Sequence, residues 1–104
     1  MSLATQAVLK VFLDDPTLPR YGFEIAKDAK IATGSLYPIL ARLEHEAEWI
    51  ESRWETQEAA QLGRPRRRYY VLTPEGVNAA RTALLEILQR TTPKGWRTVT
   101  QGTV

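Results

Sequence analysis

Apolar residues recur with helical spacing in four segments of the chain. The clearest segment is 33–47, where Leu36, Ile39, Leu40, Leu43 and Ala47 fall within one narrow stripe. The same periodicity predicts helices over 2–13, about 20–29 and 74 to about 90. Prolines follow the first of these segments and end it, because proline cannot continue a helix. We therefore expect three helices in the first half of the chain and a fourth further on.

Polar residues predict how two of these helices begin. Thr33 or Ser35 is expected to cap the third helix, since a hydroxyl can accept a hydrogen bond from a free backbone N–H group. Thr73 is expected to cap the last helix, with Pro74 at its first position and Glu75 favourable to its dipole.

Between the third and the last predicted helices the period changes to two, as in strands. Residues 49–54 and 67–72 alternate in this way, and the polar stretch 55–65 between them is predicted as a loop. Alternation places Tyr70 and Leu72 on one face of the second strand. Two strands joined by a loop make a β-hairpin.

The order helix, helix, helix, hairpin, helix predicts a mainly α protein with a small β-hairpin (α+β). This is the layout of a winged helix-turn-helix, with one further helix after the wing. We expect residues 1–73 to form the winged helix-turn-helix DNA-binding domain and 74–91 to form the dimerisation helix. Residues 92–104, which hold Trp96, are expected to form an irregular tail.

Length and composition narrow the class of protein. The 104 residues suit one domain, and 43% hydrophobic with 25% charged residues is typical of a folded chain. No apolar run has the roughly 20 residues of a membrane helix, and the N-terminus lacks the features of a secretion signal. We therefore expect a cytoplasmic protein without a membrane partner.

The residue types also bear on chemistry. With no cysteine and one histidine, His45, the sequence suggests neither a metal site nor a cofactor. No serine or threonine has an evident partner base, and there is no phosphate-binding glycine loop. We therefore do not expect an enzyme.

Charge is distributed unevenly along the chain, although the net charge is only +2. Residues 42–62 hold six acids against two bases, whereas 63–73 hold four arginines and no acid. Such a cluster attracts phosphate or an acidic protein surface, and salt weakens the attraction. A run of arginines is often merely solvated, but this run lies at the expected tip of the hairpin, beside a helix-turn-helix.

A helix-turn-helix places its third helix in the DNA major groove, and a wing adds contacts from the side. The face opposite the apolar stripe carries Pro38, Arg42 and His45, and Ser35 and Tyr37 flank it. The wing supplies Arg64, Arg66 and Arg68, and Arg67 is expected on the other face of its strand.

Other interpretations of these residues stay open. Tyr37 could equally pack at the helix junction, and His45 is more simply an exposed residue. The acids from Glu44 to Glu48 could form a solvated helix face. The aromatic residues of the hairpin are interpreted first as packing, with a ligand site as the minority view: Trp49, Trp54, Tyr69 and Tyr70.

Four motifs, in the same order and at near-identical spacing, resemble the PadR family of bacterial transcriptional regulators over about residues 3–90. They are YGFEI at 21–25, GSLYPILARLE at 34–44, WIESRW at 49–54 with GRPRRRYY at 63–70, and LTPEG at 72–76. The single C-terminal helix resembles the short subgroup of that family. The chain departs from the pattern in two places: Ala32 stands where a serine-type cap is common, and Glu48-Trp49 replaces the usual glycine and aliphatic residue before the hairpin.

The resemblance implies a winged-helix repressor that binds double-stranded DNA at an inverted repeat as a homodimer. It also implies that the helix with Ser35, Tyr37 and Pro38 reads DNA and that the wing arginines touch the backbone. The residues expected at DNA are Tyr21, Gly22, Thr33, Ser35, Tyr37, Pro38, Arg42, Arg64, Arg66 and Arg68.

A dimer is also expected from the last helix itself, which has more apolar surface than one small core can cover. The residues expected at the interface are Val8, Val77, Leu84, Leu85, Ile87 and Leu88. Trp96 or the hairpin aromatics are expected to accept a small aromatic effector, since some members of the family sense phenolic compounds. The alternative is a winged helix that binds an acidic protein surface and does not bind DNA.

Overall fold

A computed structural model describes residues 1–91 of the chain, with their side chains up to Arg90. It contains five helices and three short strands within these residues. In chain order they are α1 (Leu3–Asp14), β1 (Arg20–Tyr21), α2 (Gly22–Ala29), α3 (Thr33–His45), β2 (Ile50–Trp54), α4 (Ala59–Leu62), β3 (Arg68–Leu72) and α5 (Pro74–Thr91). Trp96 and the expected tail 92–104 lie outside the described residues.

The mainly α winged-helix fold predicted from the sequence is confirmed, with two additions. The expected two-stranded hairpin is a three-stranded antiparallel sheet in the order β1-β3-β2. Arg20 and Tyr21, predicted as the start of the second helix, form β1 and pair with Tyr70 and Tyr69 of β3. The predicted loop 55–65 also contains one short helix, α4.

One hydrophobic core lies between the helices and the sheet. Its centre consists of seven apolar residues that are each 2% exposed or less: Val8, Leu9, Phe12, Ile25, Leu36, Leu40 and Ile50. Tyr70 and Leu72 of β3 are buried beside them, as their alternation predicts. Each fully buried large side chain contributes about 1.5–3 kcal/mol to folding. On α5, Val77, Ala80 and Leu84 pack on this core.

The start of α5 is closed by hydrogen bonds, as predicted. The Gly76 N–H group donates to Thr73 Oγ1 at 2.9 Å, and the Thr73 hydroxyl donates to Glu48 O at 3.1 Å. Gly76 also packs directly on the turn between α3 and β2, where an added Cβ would lie 1.9 Å from Trp49 O. Glu48 itself has φ 57°, a left-handed conformation that favours glycine. The departure from glycine at this position therefore places a strained glutamate before the wing.

The start of α3 differs from the prediction. Its N-cap residue is Ala32, which forms no side-chain cap, so the expected cap by Thr33 or Ser35 is wrong. The helix begins before either hydroxyl because the N–H groups of Ser35 and Leu36 already bond to Ala32 O, both at 3.0 Å. Its first-turn residues Thr33, Gly34 and Ser35 are exposed.

Neither a membrane span nor a metal cluster is found in the described part of the chain. No helix within residues 1–91 is long and apolar enough to cross a bilayer. Within the same residues, no group of three or more histidine or acidic side chains is arranged to hold a metal ion.

Candidate nucleic-acid interface

Helix α3 presents a polar face to solvent because its apolar stripe is buried. Leu36, Ile39, Leu40 and Leu43 are in the core, so the opposite side of the helix points outward. The sequence-predicted residues on that side are exposed: Thr33, Ser35, Tyr37, Pro38, Arg42 and His45. The major groove of DNA is wide enough to admit one helix, so this face of α3 could enter it.

The Tyr37 ring packs directly on Gly22 at the start of α2. A Cβ added to Gly22 would lie 2.7 Å from Tyr37 Oη, so the tyrosine ring occupies the space that a side chain at position 22 would fill. Gly22 is buried and therefore cannot be the DNA contact that was expected. Its role is to make room for Tyr37 at the junction, where about half of the tyrosine surface stays exposed. Tyr37 can therefore pack at the helix junction and still present a surface to DNA.

Tyr21 and Phe23 extend this junction towards the wing. Their rings stack with centroids 5.7 Å apart and an angle of 8° between the planes. The Arg67 guanidinium lies 5.1 Å from the Phe23 ring centroid and 5.9 Å from that of Tyr21. Such cation–π contacts hold the arginine against the aromatic pair. Sequence reasoning did not assign Arg67 to the site.

Arg64 was expected at DNA, but its side chain folds back onto the wing. Its side chain is only 30% exposed and forms a two-point ion pair with Glu55, with Nη1–Oε1 2.8 Å and Nη2–Oε2 3.0 Å. Glu55 Oε1 also accepts a hydrogen bond from the Arg67 N–H group at 3.0 Å. The hydrogen bond from Arg64 lowers the pKa of Glu55 below its ordinary value. Arg64 therefore closes the base of the wing loop and is removed from the expected DNA contacts.

Arg68 lies against α3 instead of projecting freely. Its Nε–H group donates to Ser52 Oγ at 2.8 Å, and its Nη2 lies 3.5 Å from Glu44 Oε1. The guanidinium is also 5.8 Å from the Trp54 ring centroid and 5.9 Å from that of Tyr70. Arg66, in contrast, is exposed and has no ion pair among the described residues.

Glu44 does not lie on the solvated helix face that the sequence left open for it. Its side chain is 17% exposed and accepts a hydrogen bond from Ser52 Oγ at 2.6 Å. One signal in the sequence could have found it. Seven residues make almost two helical turns, so Glu44 lies on the same flank of α3 as Tyr37.

A cleft of about 420 Å³ lies between α2, α3 and the wing. Its walls bring Tyr37 of α3 together with Arg67 and Arg68 of the wing. The other lining residues are Tyr21, Gly22, Phe23, Trp54 and Tyr70. Trp54 is 57% exposed, whereas Tyr70 is buried and burial raises its pKa above the ordinary value. The cleft therefore combines exposed aromatic faces with two cationic groups.

The residues expected at a dimer interface separate into two groups. Val8 has no exposed surface and Val77 packs on the core, so Val8 cannot contact a partner chain. Further along α5, Leu85 and Leu88 are 54% and 60% exposed. They line a mainly apolar groove of about 640 Å³ between α1 and α5, together with Leu13, Leu84 and Ile87.

Comparison with known proteins identifies the family and the fold. Residues 8–82 match the sequence profile of the transcriptional regulator PadR-like family. A PadR family transcription regulator from Clostridium difficile R20291 is 28% identical and has a TM-score of 0.55, over 92% of this chain and 91% of that chain. The circadian clock associated protein Pex from Anabaena is 25% identical with a TM-score of 0.58, over 86% of this chain and 82% of that one.

More distant structures share the fold alone. AbfR in its overoxidized form, bound to DNA, superposes with a TM-score of 0.67 at 17% identity, over 99% of this chain and 68% of that one. The chain spans 64% of the length of AbfR in its disulfide form. No curated protein sequence matches the chain.

Proposed function

The chain belongs to the PadR-like family of transcriptional regulators, and on this premise we propose that it is a cytoplasmic repressor that binds an inverted repeat in DNA as a homodimer. Its recognition element is α3, with Thr33, Ser35, Tyr37, Pro38 and Arg42 on the exposed side. The wing adds backbone contacts from Arg66, Arg67 and Arg68.

One observation carries the proposal: Tyr37 of α3 and Arg67 and Arg68 of the wing line the same cleft. A helix that enters the major groove brings the neighbouring wing against the flanking phosphates, where guanidinium groups are the preferred donors. Arg66 precedes Arg67 in the sequence and is exposed, and it forms no ion pair in the described part of the chain, so in this proposal it adds a further positive charge for the phosphates.

The homodimer rests on the apolar groove between α1 and α5. Leu85 and Leu88 expose more than half of their side chains there, and a second copy of the same groove would cover them with twofold symmetry. A twofold protein reads two half-sites of opposite orientation, about 34 Å apart along the DNA.

The proposal is tested by selecting bound duplexes from a randomised library at low salt. We expect a consensus with two inverted half-sites about one helical turn apart. A consensus with a single half-site would contradict the homodimer. If no duplex is bound, the alternative is favoured, in which the arginine surface meets an acidic protein surface.

Arg66→Ala tests the wing contact on the selected duplex. Removing one phosphate contact in each protomer should make the slope of log K against log salt shallower by about one per protomer, because fewer counterions are released. Arg53→Ala is the matched control, since Arg53 is an exposed arginine of the same wing on the opposite strand face from Trp54. An equal change in the two slopes would contradict a specific role for Arg66.

A second role is favoured by the shape of the cleft. We propose that it also accepts a small planar aromatic effector, because a volume of about 420 Å³ lined by aromatic rings suits such a molecule. Quenching of tryptophan fluorescence by candidate aromatics tests this role. Trp54→Phe should abolish most of the quenching, whereas Trp49→Phe, outside the cleft, should retain it. The expected role of Trp96 lies outside the described residues.

A further inference from the structure

A carboxylate lies on the flank of the proposed recognition helix, where its charge opposes DNA. Glu44 belongs to α3, the proposed recognition helix, and shares the flank of Tyr37. Its side chain is largely buried against the wing, although a buried charge is costly unless it is paired and hydrogen-bonded. Such a residue weakens DNA binding through its charge, so its position calls for a compensating role.

The contacts of Glu44 connect three elements of the structure. Ser52 Oγ of β2 donates to Glu44 Oε2 at 2.6 Å, and Arg68 Nε of β3 donates to the same Ser52 Oγ at 2.8 Å. Arg68 Nη2 lies 3.5 Å from the other carboxylate oxygen of Glu44. The exposed His45 approaches that oxygen at 3.7 Å. Glu44, Ser52 and Arg68, which we call the wing latch, thus form a closed ring of polar contacts.

The wing latch fixes a side chain that would otherwise be mobile. Arginine has several rotatable bonds, and ordering it on DNA binding costs conformational entropy. Here the Arg68 guanidinium is oriented before DNA arrives, by the latch on one side and by the Trp54 and Tyr70 rings on the other. The same contacts tie the wing to the helix that reads the major groove.

We infer that Glu44 is a positioning residue for DNA binding: through Ser52 and Arg68 it sets the wing against α3, and this gain exceeds the repulsion between its charge and the DNA. The inference rests on the proposed function. It predicts that removing the Glu44 charge weakens DNA binding. The opposite effect is the ordinary one, because removal of an acid near phosphates strengthens DNA binding.

Glu44→Gln tests the sign on the selected duplex. We expect affinity to fall by about three- to tenfold, as for the loss of one coupled polar contact. Glu51→Gln is the matched control. Glu51 is an acid of β2, next to Ser52 in the sequence, and its ion pair with Arg53 at 3.7 Å is exposed. Removing its charge should leave affinity unchanged or raise it. Unchanged or tighter binding by Glu44→Gln would overturn the inference.

Arg68→Lys separates positioning from charge. Lysine keeps the positive charge but lacks the planar fork that reaches Ser52 and Glu44 together. We expect weaker binding, by a factor similar to that of Glu44→Gln, with an unchanged salt slope. A lysine variant that binds like the wild type would show that charge alone is needed, and the latch would then have no positioning role.

A measurement without DNA distinguishes failure of the inference from failure of the proposed function. Urea unfolding of the wild type, Glu44→Gln, Arg68→Gln and the double variant forms a double-mutant cycle. We expect the double variant to lose less stability than the two single variants together, since both break the same latch. Additive losses would overturn the latch even if the protein binds DNA. Coupling in a protein that binds no duplex would instead reject the DNA function.

Discussion

The first turns of α3 and α5 each contain a glycine, but they are built in opposite ways. Gly76 of α5 lies against the carbonyl of Trp49, and the Gly76 N–H group donates a hydrogen bond to the Thr73 hydroxyl. Gly34 of α3 has no atom within 4 Å of the place where a Cβ would be, and the residue before this helix, Ala32, provides no cap. One helix start is enclosed by protein. The other is open, and it is the one that we propose faces DNA.

The comparison suggests a division of roles between the two helix starts. At α5, glycine and threonine are needed for packing, because a backbone carbonyl and a hydroxyl occupy the space around the first turn. At α3, glycine and alanine have no long side chain to cover the first turn, and the first N–H groups have no side-chain partners. Such a helix start can approach a phosphate closely.

Gly76→Ala should have the largest effect. The new Cβ would lie 1.9 Å from Trp49 O, a backbone atom, so the turn between α3 and β2 or the start of α5 must shift. We expect the free energy of unfolding in urea to fall by about 3 kcal/mol or more. Gly34→Ala is the control, and it should raise stability by about 0.5–1 kcal/mol, since alanine is the better helix former and meets open space. Similar losses for both variants would remove the contrast.

Thr73→Val should have the next largest effect. Valine keeps the shape of threonine but leaves the Gly76 N–H group without the hydroxyl that accepts it, and we expect a loss of about 1 kcal/mol in urea unfolding. In the described structure the Thr33 hydroxyl forms no hydrogen bond, so Thr33→Val should change stability by less than about 0.5 kcal/mol. Equal effects at the two positions would contradict the capping role of Thr73.

Ala32→Ser should have the smallest effect. It gives α3 the side-chain cap that α5 already has. A serine at this N-cap can accept one of the free N–H groups of α3, which should raise the free energy of unfolding by about 0.5–1 kcal/mol. The same bond would compete with a DNA phosphate for that N–H group, so we expect affinity for the selected duplex to stay equal or fall. A serine variant that binds DNA more tightly would contradict an open helix start as a phosphate contact.

Periodic patterns predict most of this fold. The apolar stripe of α3 and the alternation of β3 are repeated over enough residues to be distinguished from chance, and the core follows from them. β1 has two residues and α4 has four, so neither has a period to detect. The sequence therefore predicts the helices and the hairpin but not the third strand of the sheet.

The candidate site is less predictable because its contacts join distant residues. The run of four arginines appears uniform in the sequence, but the fold gives its members different partners. Arg64 meets Glu55 across a loop, and Arg68 meets Glu44 of another element. Only the folded chain brings these acids within reach of the arginines. For the same reason, charge counted along the sequence overestimates the positive charge that the wing has free for DNA.

The short strand β1 has a consequence for how the wing moves. Its pairs, Arg20 with Tyr70 and Tyr21 with Tyr69, connect residues that are 50 and 48 positions apart in the chain. An isolated two-stranded hairpin is marginally stable in water, but this hairpin is anchored to the segment that leads into α2. Wing and helices are thus joined in one cooperative unit, and the backbone amides of β3 should exchange with deuterium at the rate of global unfolding, not of local fraying. A wing of this kind acts as a rigid arm.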